Sequence, residues 1–197
     1  MTGSAGQIEI ISGLNGADIL SLNFHPGLGE FDDYRSILSS PAALAHEASL
    51  ENARTALALN EGEILGYVVI RPPLAGERWG RMPIMREIFC ELARGMRGRN
   101  IMQALLKAIH QDPDQEKLIY YLLGYSWHWD LNGSGRSGLE YRQSIISLVA
   151  PYAYKEYPTN DPNVGLHGEN IFMARLGAGI SPQERRAFSR LLFGINE

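Results

Sequence analysis

A glycine-containing turn with three arginines follows a strand-like run and precedes a helix-like run. The turn covers residues 93–100 and carries Arg94, Arg97 and Arg99 in a chain that is acidic overall. The N-terminus of a helix presents unpaired backbone N–H groups and a positive dipole end, both of which attract phosphate. Gly98 would also let a ligand approach the backbone closely. The turn therefore predicts binding of a pyrophosphate or a 3′-phosphate, with a solvated arginine-rich turn as the alternative.

Two carboxylates in the preceding strand-like run have a spacing that suits a general base. Glu87 and Glu91 are four residues apart with Phe89 between them, so an extended chain places both on the same face. A positioned carboxylate can take a proton from a reacting group. The alternative is a pair of carboxylates that only solvate the edge of a sheet.

An aromatic run, Y-S-W-H-W-D, occupies residues 125–130. If it is extended, Trp127 and Trp129 share one face, while His128 and Asp130 share the other. Two tryptophans at period two most often pack a core. His128 and Asp130 could form an oriented pair in which the carboxylate fixes the imidazole tautomer, or they could recognise an incoming substrate.

Thiol and metal chemistry receive little support from the sequence. Cys90 is the single cysteine, which excludes a disulfide framework and a four-thiolate metal site. Because it lies mid-strand between apolar and acidic residues, we interpret it as a buried structural thiol rather than a nucleophile. His110, His128 and His167 show no metal-ligand spacing, so no metal is expected.

Strands and helices alternate along the chain in a mixed order. Apolar residues between positions 100 and 110 fall on one helical face, and two S-x-x-E or S-P-x-E capping boxes open later helices. Residues 13–40 are expected to be irregular, with one short helix. Strands are predicted at 7–11, 55–59, 64–70, 87–92, 117–129, 152–157 and 170–176, and helices at 41–49, 100–110, 137–149 and from 181 onward.

Length and charge restrict the class of protein. The 197 residues suit a single domain spanning 1–197, and a formal net charge of −4 argues against nucleic-acid binding as the main function. The densest apolar stretch, 118–125, is too short to span a bilayer. The first basic residue is Arg35, so no signal peptide is predicted. We expect a cytoplasmic protein without a membrane partner.

The arginine-rich turn resembles the acyl-CoA-binding segment of the GNAT acetyltransferases. The family pattern is Arg or Gln, two residues, Gly, one residue, then Gly or Ala, and the matching stretch here is residues 97–102. Arg97 and Gly98 fit, whereas Asn100 and Met102 replace two glycines. Asn tolerates the left-handed conformation, but a methionine side chain is expected to crowd the pyrophosphate.

A second stretch is similar to one particular family. Residues 125–135 (Y-S-W-H-W-D-L-N-G-S-G) and 140–142 (E-Y-R) are similar to the W-H-W-D-L-x-G-x-G…E-Y-R signature of the acetoin-utilisation acetyltransferases. Shorter matches occur at 66–68, 159–162 and 170–177. The similarity runs from about residue 60 to 190, and residues 1–50 form a divergent N-terminal part.

The resemblance implies an α/β (α+β) GNAT-like acyl-CoA N-acyltransferase fold. Its central sheet is mixed, mostly antiparallel, splayed between the fourth and fifth strands and flanked by helices. It also implies acetyl-CoA as co-substrate and direct transfer of the acetyl group to a protein lysine, with acetyl-CoA synthetase as the acceptor. Two alternatives stay open, a small-molecule amine acceptor and a catalytically silent acyl-CoA-binding regulatory protein. A homodimer is one option for the assembly.

The resemblance and the spacing arguments above together give candidate roles to residues. Glu91 is the first candidate base and Glu87 the second. Tyr141 is a candidate acid or substrate contact, because Ser144 occupies the usual tyrosine position, and His128 is a further catalytic candidate. The predicted cofactor-binding residues are Leu92, Ala93, Arg97, Gly98, Arg99, Asn100, Ile101, Met102 and Ser137, and the predicted substrate-binding residues are Trp127, Trp129 and Asp130.

Overall fold

The computed structural model describes residues 7–29, 31 and 33–195, so parts of the predicted N-terminal region lie outside the described residues. Its residues group into two compact units. The first unit holds the described residues of Met1–Phe31, Ser36–Arg71 and Cys90–Gln111, and the second holds those of Asp32–Arg35, Pro72–Phe89 and Asp112–Glu197.

Helices and strands alternate largely as the sequence predicts. In chain order they are β1 (Glu9–Ser12), α1 (Gly16–Leu20), β2 (Asn23–Phe24), α2 (Pro41–Ala48), β3 (Arg54–Asn60), β4 (Glu63–Arg71), β5 (Met85–Leu92), α3 (Ile101–Ile109), β6 (Ile119–Gly124), α4 (Leu131–Ser134), α5 (Gly138–Val149), β7 (Lys155–Glu156), α6 (Pro162–Gly165), β8 (Ile171–Leu176) and α7 (Pro182–Leu192).

The eight strands form one mixed sheet in the order β1-β3-β4-β5-β6-β8-β7, with the short β2 beside β4. Pairs β1–β3, β3–β4, β6–β8 and β7–β8 are antiparallel, whereas β2–β4 and β5–β6 are parallel. The β5–β6 ladder covers only Met85–Glu87 and Ile119–Tyr121. Because β5 continues to Leu92, its ladder with β6 ends partway along. The resemblance implies a splay at this place, between the family's fourth and fifth strands.

In the first unit, a tight hairpin and one helix fix the sheet. Glu61 and Gly62 link β3 to β4 with φ of 48° and 83°, the two positive values that a two-residue hairpin turn of type I′ requires. Helix α3 packs on β1, β3 and β4. Its buried side chains are those that the helical period predicts, namely Ile101, Met102, Leu105, Leu106 and Ile109.

In the second unit, an aromatic core lies between β6, β8 and α7. The rings of Trp79 and Phe172 stack with centroids 4.5 Å apart, and Tyr121 and Phe188 belong to the same buried cluster. The capping boxes at Ser137 and Ser181 are both formed, so the predicted starts of α5 and α7 are confirmed.

Two predicted strands are shorter than expected. The predicted strand 117–129 ends at Gly124, and residues 126–128 form a 3-10 turn instead. Here the Ser126 N–H donates to the Asn170 side chain, 2.8 Å away, rather than to a strand partner. The predicted strand 152–157 is reduced to β7.

No helix in the described part of the chain is both long and apolar enough to cross a membrane.

Candidate functional site

The backbone of the arginine-rich turn is anchored at its start. The Ala93 N–H donates to the Leu65 carbonyl at 2.8 Å, and the Arg94 N–H donates to the Gly27 carbonyl at 2.9 Å. A Cβ on Gly27 would lie 2.7 Å from the Arg94 nitrogen, so only glycine allows this approach. The segment around Gly27, which sequence reasoning left irregular, therefore supports the turn.

Positive φ values shape the rest of the turn. Gly95, Gly98 and Asn100 have φ of 79°, 77° and 59°. Asn100 thus adopts the left-handed conformation that the sequence analysis expected it to tolerate. The Cα of Gly98 faces open space, since a Cβ there would meet no atom within 4 Å. The turn leaves room for a ligand at Gly98.

The first turn of α3 carries its side chains inward. Ile101 and Met102 are only 5% and 8% exposed, so the Met102 side chain lies in the core of the first unit. This burial argues against the expectation that Met102 crowds a pyrophosphate. Asn100 precedes the helix without a side-chain capping bond, which leaves the α3 N-terminus without the usual Ser, Thr or Asp cap.

The three arginines of the turn differ in their surroundings. The Arg94 guanidinium lies over the Phe31 ring, 4.3 Å from its centroid. Arg97 is half-buried and Arg99 is exposed. Arg94 therefore has an aromatic partner, while Arg99 presents its charge to solvent.

The backbone N–H and C=O groups of Leu92 point away from β4. Successive residues of a strand direct their N–H and C=O groups to opposite edges, and the Ala93 N–H is directed at β4 through Leu65. The Leu92 groups consequently point to the other edge of β5. Of the two predicted backbone contacts, Leu92 suits an incoming extended ligand better than Ala93.

Glu91 lies at the centre of a hydrogen-bonded cluster in the first unit. Its Oε2 accepts from the Tyr67 hydroxyl at 2.7 Å and from the Ile37 N–H at 3.3 Å. Its Oε1 accepts from the Ser36 hydroxyl at 2.7 Å. The strand spacing indicated Glu91 but not these donors. Tyr67 had a signal in the match at 66–68, whereas Ser36 had none.

The groups next to Glu91 stay protonated. Burial, followed by the Glu91 carboxylate, raises the pKa of the Tyr67 hydroxyl well above its ordinary value. The same two causes raise the pKa of the Cys90 thiol to about 12. A thiol that is neutral at physiological pH is a poor nucleophile, which supports the structural role of Cys90, although its side chain is half-buried rather than buried.

The aromatic run has a different geometry from the predicted one. The rings of Tyr125 and Trp127 stack 4.5 Å apart, whereas Trp129 is 5% exposed and stacks on Tyr141 at 5.3 Å. Because residues 126–128 are not extended, the prediction that the two tryptophans share one face is wrong. Trp129 is a core residue, and Trp127 is half-buried.

The structure gives His128 and Asp130 each a backbone partner. The His128 Nδ1 lies 2.7 Å from the Arg35 carbonyl oxygen, so a proton on Nδ1 would be donated to that carbonyl and Nε2 would become the acceptor. Asp130 is 1% exposed and accepts from the Gly133 N–H at 2.8 Å as the N-cap of α4. The carbonyl of Arg35 therefore orients the imidazole.

Asn170 is a residue that sequence reasoning missed. It is 5% exposed, accepts from the Ser126 N–H and donates to the Asn163 carbonyl at 2.7 Å. These two bonds hold the start of the aromatic turn. Burial, and then the Asp161 carboxylate, raise the pKa of the neighbouring Tyr125 hydroxyl.

The predicted residues at the start of α5 serve the helix. The Ser137 hydroxyl donates to Glu140 at 2.8 Å and is the acceptor of its capping bond. Ser144, at the usual tyrosine position, donates to the Glu140 carbonyl at 2.8 Å. Tyr141 lies near the start of this helix and stacks on Trp129.

The predicted site residues divide between the two units. The first unit contains Glu91, Leu92, Ala93, Arg97, Gly98, Arg99, Asn100, Ile101 and Met102, and the second contains Glu87, Trp127, His128, Trp129, Asp130, Ser137 and Tyr141.

No group of three or more His, Cys, Asp or Glu residues that could hold a metal ion occurs within 7–29, 31 and 33–195.

Solved structures identify the class to which this fold belongs. A GNAT superfamily phosphinothricin acetyltransferase from Sinorhizobium meliloti, solved in complex with AcCoA, matches with a TM-score of 0.51 and 17% identity. The match covers 89% of this chain and 91% of that one. The fold is that of the GNAT acyltransferases, as the sequence resemblance implied.

Closer similarity defines the family within that class. The crystal structure of an acetoin utilization protein from Exiguobacterium sibiricum matches with a TM-score of 0.86 and 31% identity, over 96% of this chain and 90% of that one. "Acetoin utilization protein AcuA" from Bacillus licheniformis is 30% identical over 191 residues, 95% of this chain and 90% of its own. The chain belongs to this family of acetoin utilization proteins. No protein-family model matches the sequence.

Proposed function

We propose that the protein is an acetyl-CoA-dependent N-acetyltransferase that acetylates a lysine of a protein acceptor by direct transfer. Its fold and family support an acetyltransferase. The observation that carries the acetyl-CoA proposal is the turn before α3, where Gly98 faces open space and Met102 is buried. An acetyl-CoA synthetase is the proposed acceptor.

The co-substrate would be held by the turn and by the edge of β5. Arg97 and Arg99 supply positive charge for its phosphates, and Gly98 with Asn100 allows the backbone to approach them. The N–H groups at the start of α3 would complete this phosphate site. Leu92 would pair with the extended pantetheine arm through its backbone. When bound, acetyl-CoA supplies the activated acetyl thioester.

The proposed reaction needs a neutral amine, and Glu91 is the proposed base. The lysine Nε has an ordinary pKa near 10.4 and is mostly an ammonium ion, so a first proton must pass to Glu91 before the neutral nitrogen attacks the thioester carbon. The new C–N bond forms, the C–S bond breaks, and CoA leaves as a thiolate that takes up the second proton lost by the nitrogen. Tyr141 is the proposed general acid or substrate contact, and Glu87 is the second candidate base.

The protonated Cys90 supports direct transfer over an acyl-enzyme route. A covalent intermediate on sulfur needs a thiolate, and the pKa of the Cys90 thiol is raised to about 12. Burial of Met102 also removes one argument for a silent acyl-CoA-binding protein. A small-molecule amine acceptor, a cytoplasmic location and a homodimer stay predictions.

Acetylation of a purified acetyl-CoA synthetase tests the proposal. The protein, acetyl-CoA and the acceptor are mixed, and acetyl-lysine is mapped by mass spectrometry over time. We expect transfer well above the spontaneous rate, lowered roughly 100-fold or more in Glu91→Gln. Transfer at the spontaneous rate by the wild-type protein, with acetyl-CoA binding retained, would favour the silent binding protein.

A further inference from the structure

Glu91 carries a long, flexible side chain, yet both of its carboxylate oxygens are engaged. Oε2 accepts from Tyr67 and Ile37, and Oε1 accepts from Ser36. Donors on both oxygens fix the position of the carboxylate and also the rotation of its plane. A side chain held in this way loses its conformational freedom in the folded protein, before any substrate binds.

The Tyr67 hydroxyl is built to donate rather than accept. Its ring is fully buried and stacks on Phe24 with centroids 6.2 Å apart. Since burial and the Glu91 carboxylate raise the pKa of this hydroxyl well above its ordinary value, the phenol stays protonated throughout an ordinary assay range. Tyr67 therefore directs a proton at Glu91 Oε2 under all such conditions.

The other two donors come from a segment far away in the sequence. Ser36 is 8% exposed, and its hydroxyl and the next backbone N–H reach opposite oxygens of Glu91. Ser36 lies in the divergent region 1–50, where the resemblance assigned no role. The carboxylate thus receives side-chain donors from β4 and from this N-terminal segment, both within the first unit.

We propose that Ser36 and Tyr67 are positioning residues that hold the Glu91 carboxylate in the orientation from which it removes the acceptor amine's proton. This inference rests on the proposed function, in which Glu91 is the base. Neither residue needs to touch acetyl-CoA or the acceptor. Both act through the placement of Oε1 and Oε2, because a base displaced by about an ångström loses much of its rate advantage.

Conservative variants test the proposal in the acetylation assay. Tyr67→Phe keeps the buried ring, and Ser36→Ala removes only the hydroxyl. We expect each variant to lower kcat about tenfold, with the KM for acetyl-CoA changed less than about twofold. Ser36→Thr, which keeps a donor, should recover most of the rate. Tyr121→Phe, at a buried tyrosine of the second unit's core, is the matched control and should leave kcat unchanged.

A double-mutant cycle separates positioning from general structural damage. Glu91→Asp retains a carboxylate but withdraws it from the donors. In that background Tyr67→Phe should lower kcat less than about threefold. An equal cost in both backgrounds would mean that Tyr67 does not act through Glu91. If Tyr67→Phe fails to fold, Ser36→Ala and Ser36→Thr in the same two backgrounds answer the question.

The possible failures are distinguishable. A wild-type protein without acetyl transfer would overturn the proposed function and with it this inference. A Glu91→Gln variant as active as wild type would overturn the base assignment alone. Full activity of Tyr67→Phe and Ser36→Ala, together with an inactive Glu91→Gln, would overturn only the positioning role.

Discussion

At the scale of single residues, the Glu91 carboxylate accepts hydrogen bonds from side chains in two distant parts of the chain. The spacing of Glu91 in its strand predicts a base, and the structure shows both oxygens of its carboxylate accepting hydrogen bonds. Its donors Ser36 and Tyr67 are 55 and 24 residues away in the chain. Such contacts depend on tertiary packing, which no local pattern contains.

Cys90 provides the first prediction at this scale. Because the pKa of its thiol is raised to about 12, chiefly by burial, the thiolate that reacts with disulfide reagents is nearly absent at pH 8. We expect the native protein to react with such a reagent at least about 100-fold more slowly than the urea-unfolded chain. A rate equal to that of the unfolded chain would contradict the assigned environment.

The same residue bears on the reaction route. Cys90→Ser should retain most of the acetyl-transfer activity, since direct transfer uses no enzyme thiol. Loss of all activity in a variant that still folds, together with a trapped acetyl group on the wild-type sulfur, would contradict direct transfer.

At the scale of elements, the turn before α3 was predictable and the aromatic turn was not. The spacing of Arg97 and Gly98 ahead of a helical period predicted the turn before α3. The second failed because Gly124 ends β6 and Asn170 supplies the hydrogen bond that a strand partner would have given Ser126. A side chain 44 residues away from Ser126 decided that geometry.

Asn100 provides a prediction at the scale of the turn. Its φ of 59° is readily adopted by Asn and Gly but strained for a β-branched residue. Asn100→Val should lower the free energy of unfolding by about 1–2 kcal/mol and weaken acetyl-CoA binding, whereas Asn100→Gly should retain both. Urea unfolding and calorimetry measure the two effects. Equal behaviour of Val and Gly would contradict the left-handed turn.

At the scale of the whole molecule, fold class and family followed from a rare motif and a recognisable order of elements. The sequence could not show how residues 1–50 are used. In the described part of this range the structure has β1, α1, β2, α2 and donors to Glu91. Strand β5 passes from the second unit into the first between Phe89 and Cys90. We propose that residues 1–197 act as one acetyltransferase domain.

Cooperative unfolding tests the single-domain proposal. A strand shared by both units should make them unfold together. Urea transitions followed by far-UV circular dichroism and by tryptophan fluorescence are expected to coincide, since all three tryptophans lie in the second unit. Two separated transitions would instead assign the units to independently folding domains.

Calorimetric titration with acetyl-CoA tests the central claim most directly, namely that the turn before α3 binds the phosphates of this nucleotide thioester. The wild-type protein should bind one equivalent with a Kd below about 100 μM. The double variant Arg97→Ala, Arg99→Ala should bind at least about tenfold more weakly, with the larger loss at low salt, whereas Arg186→Ala, an exposed arginine of α7, should match wild type. The absence of saturable binding, or equal affinity in the double variant, would contradict the account.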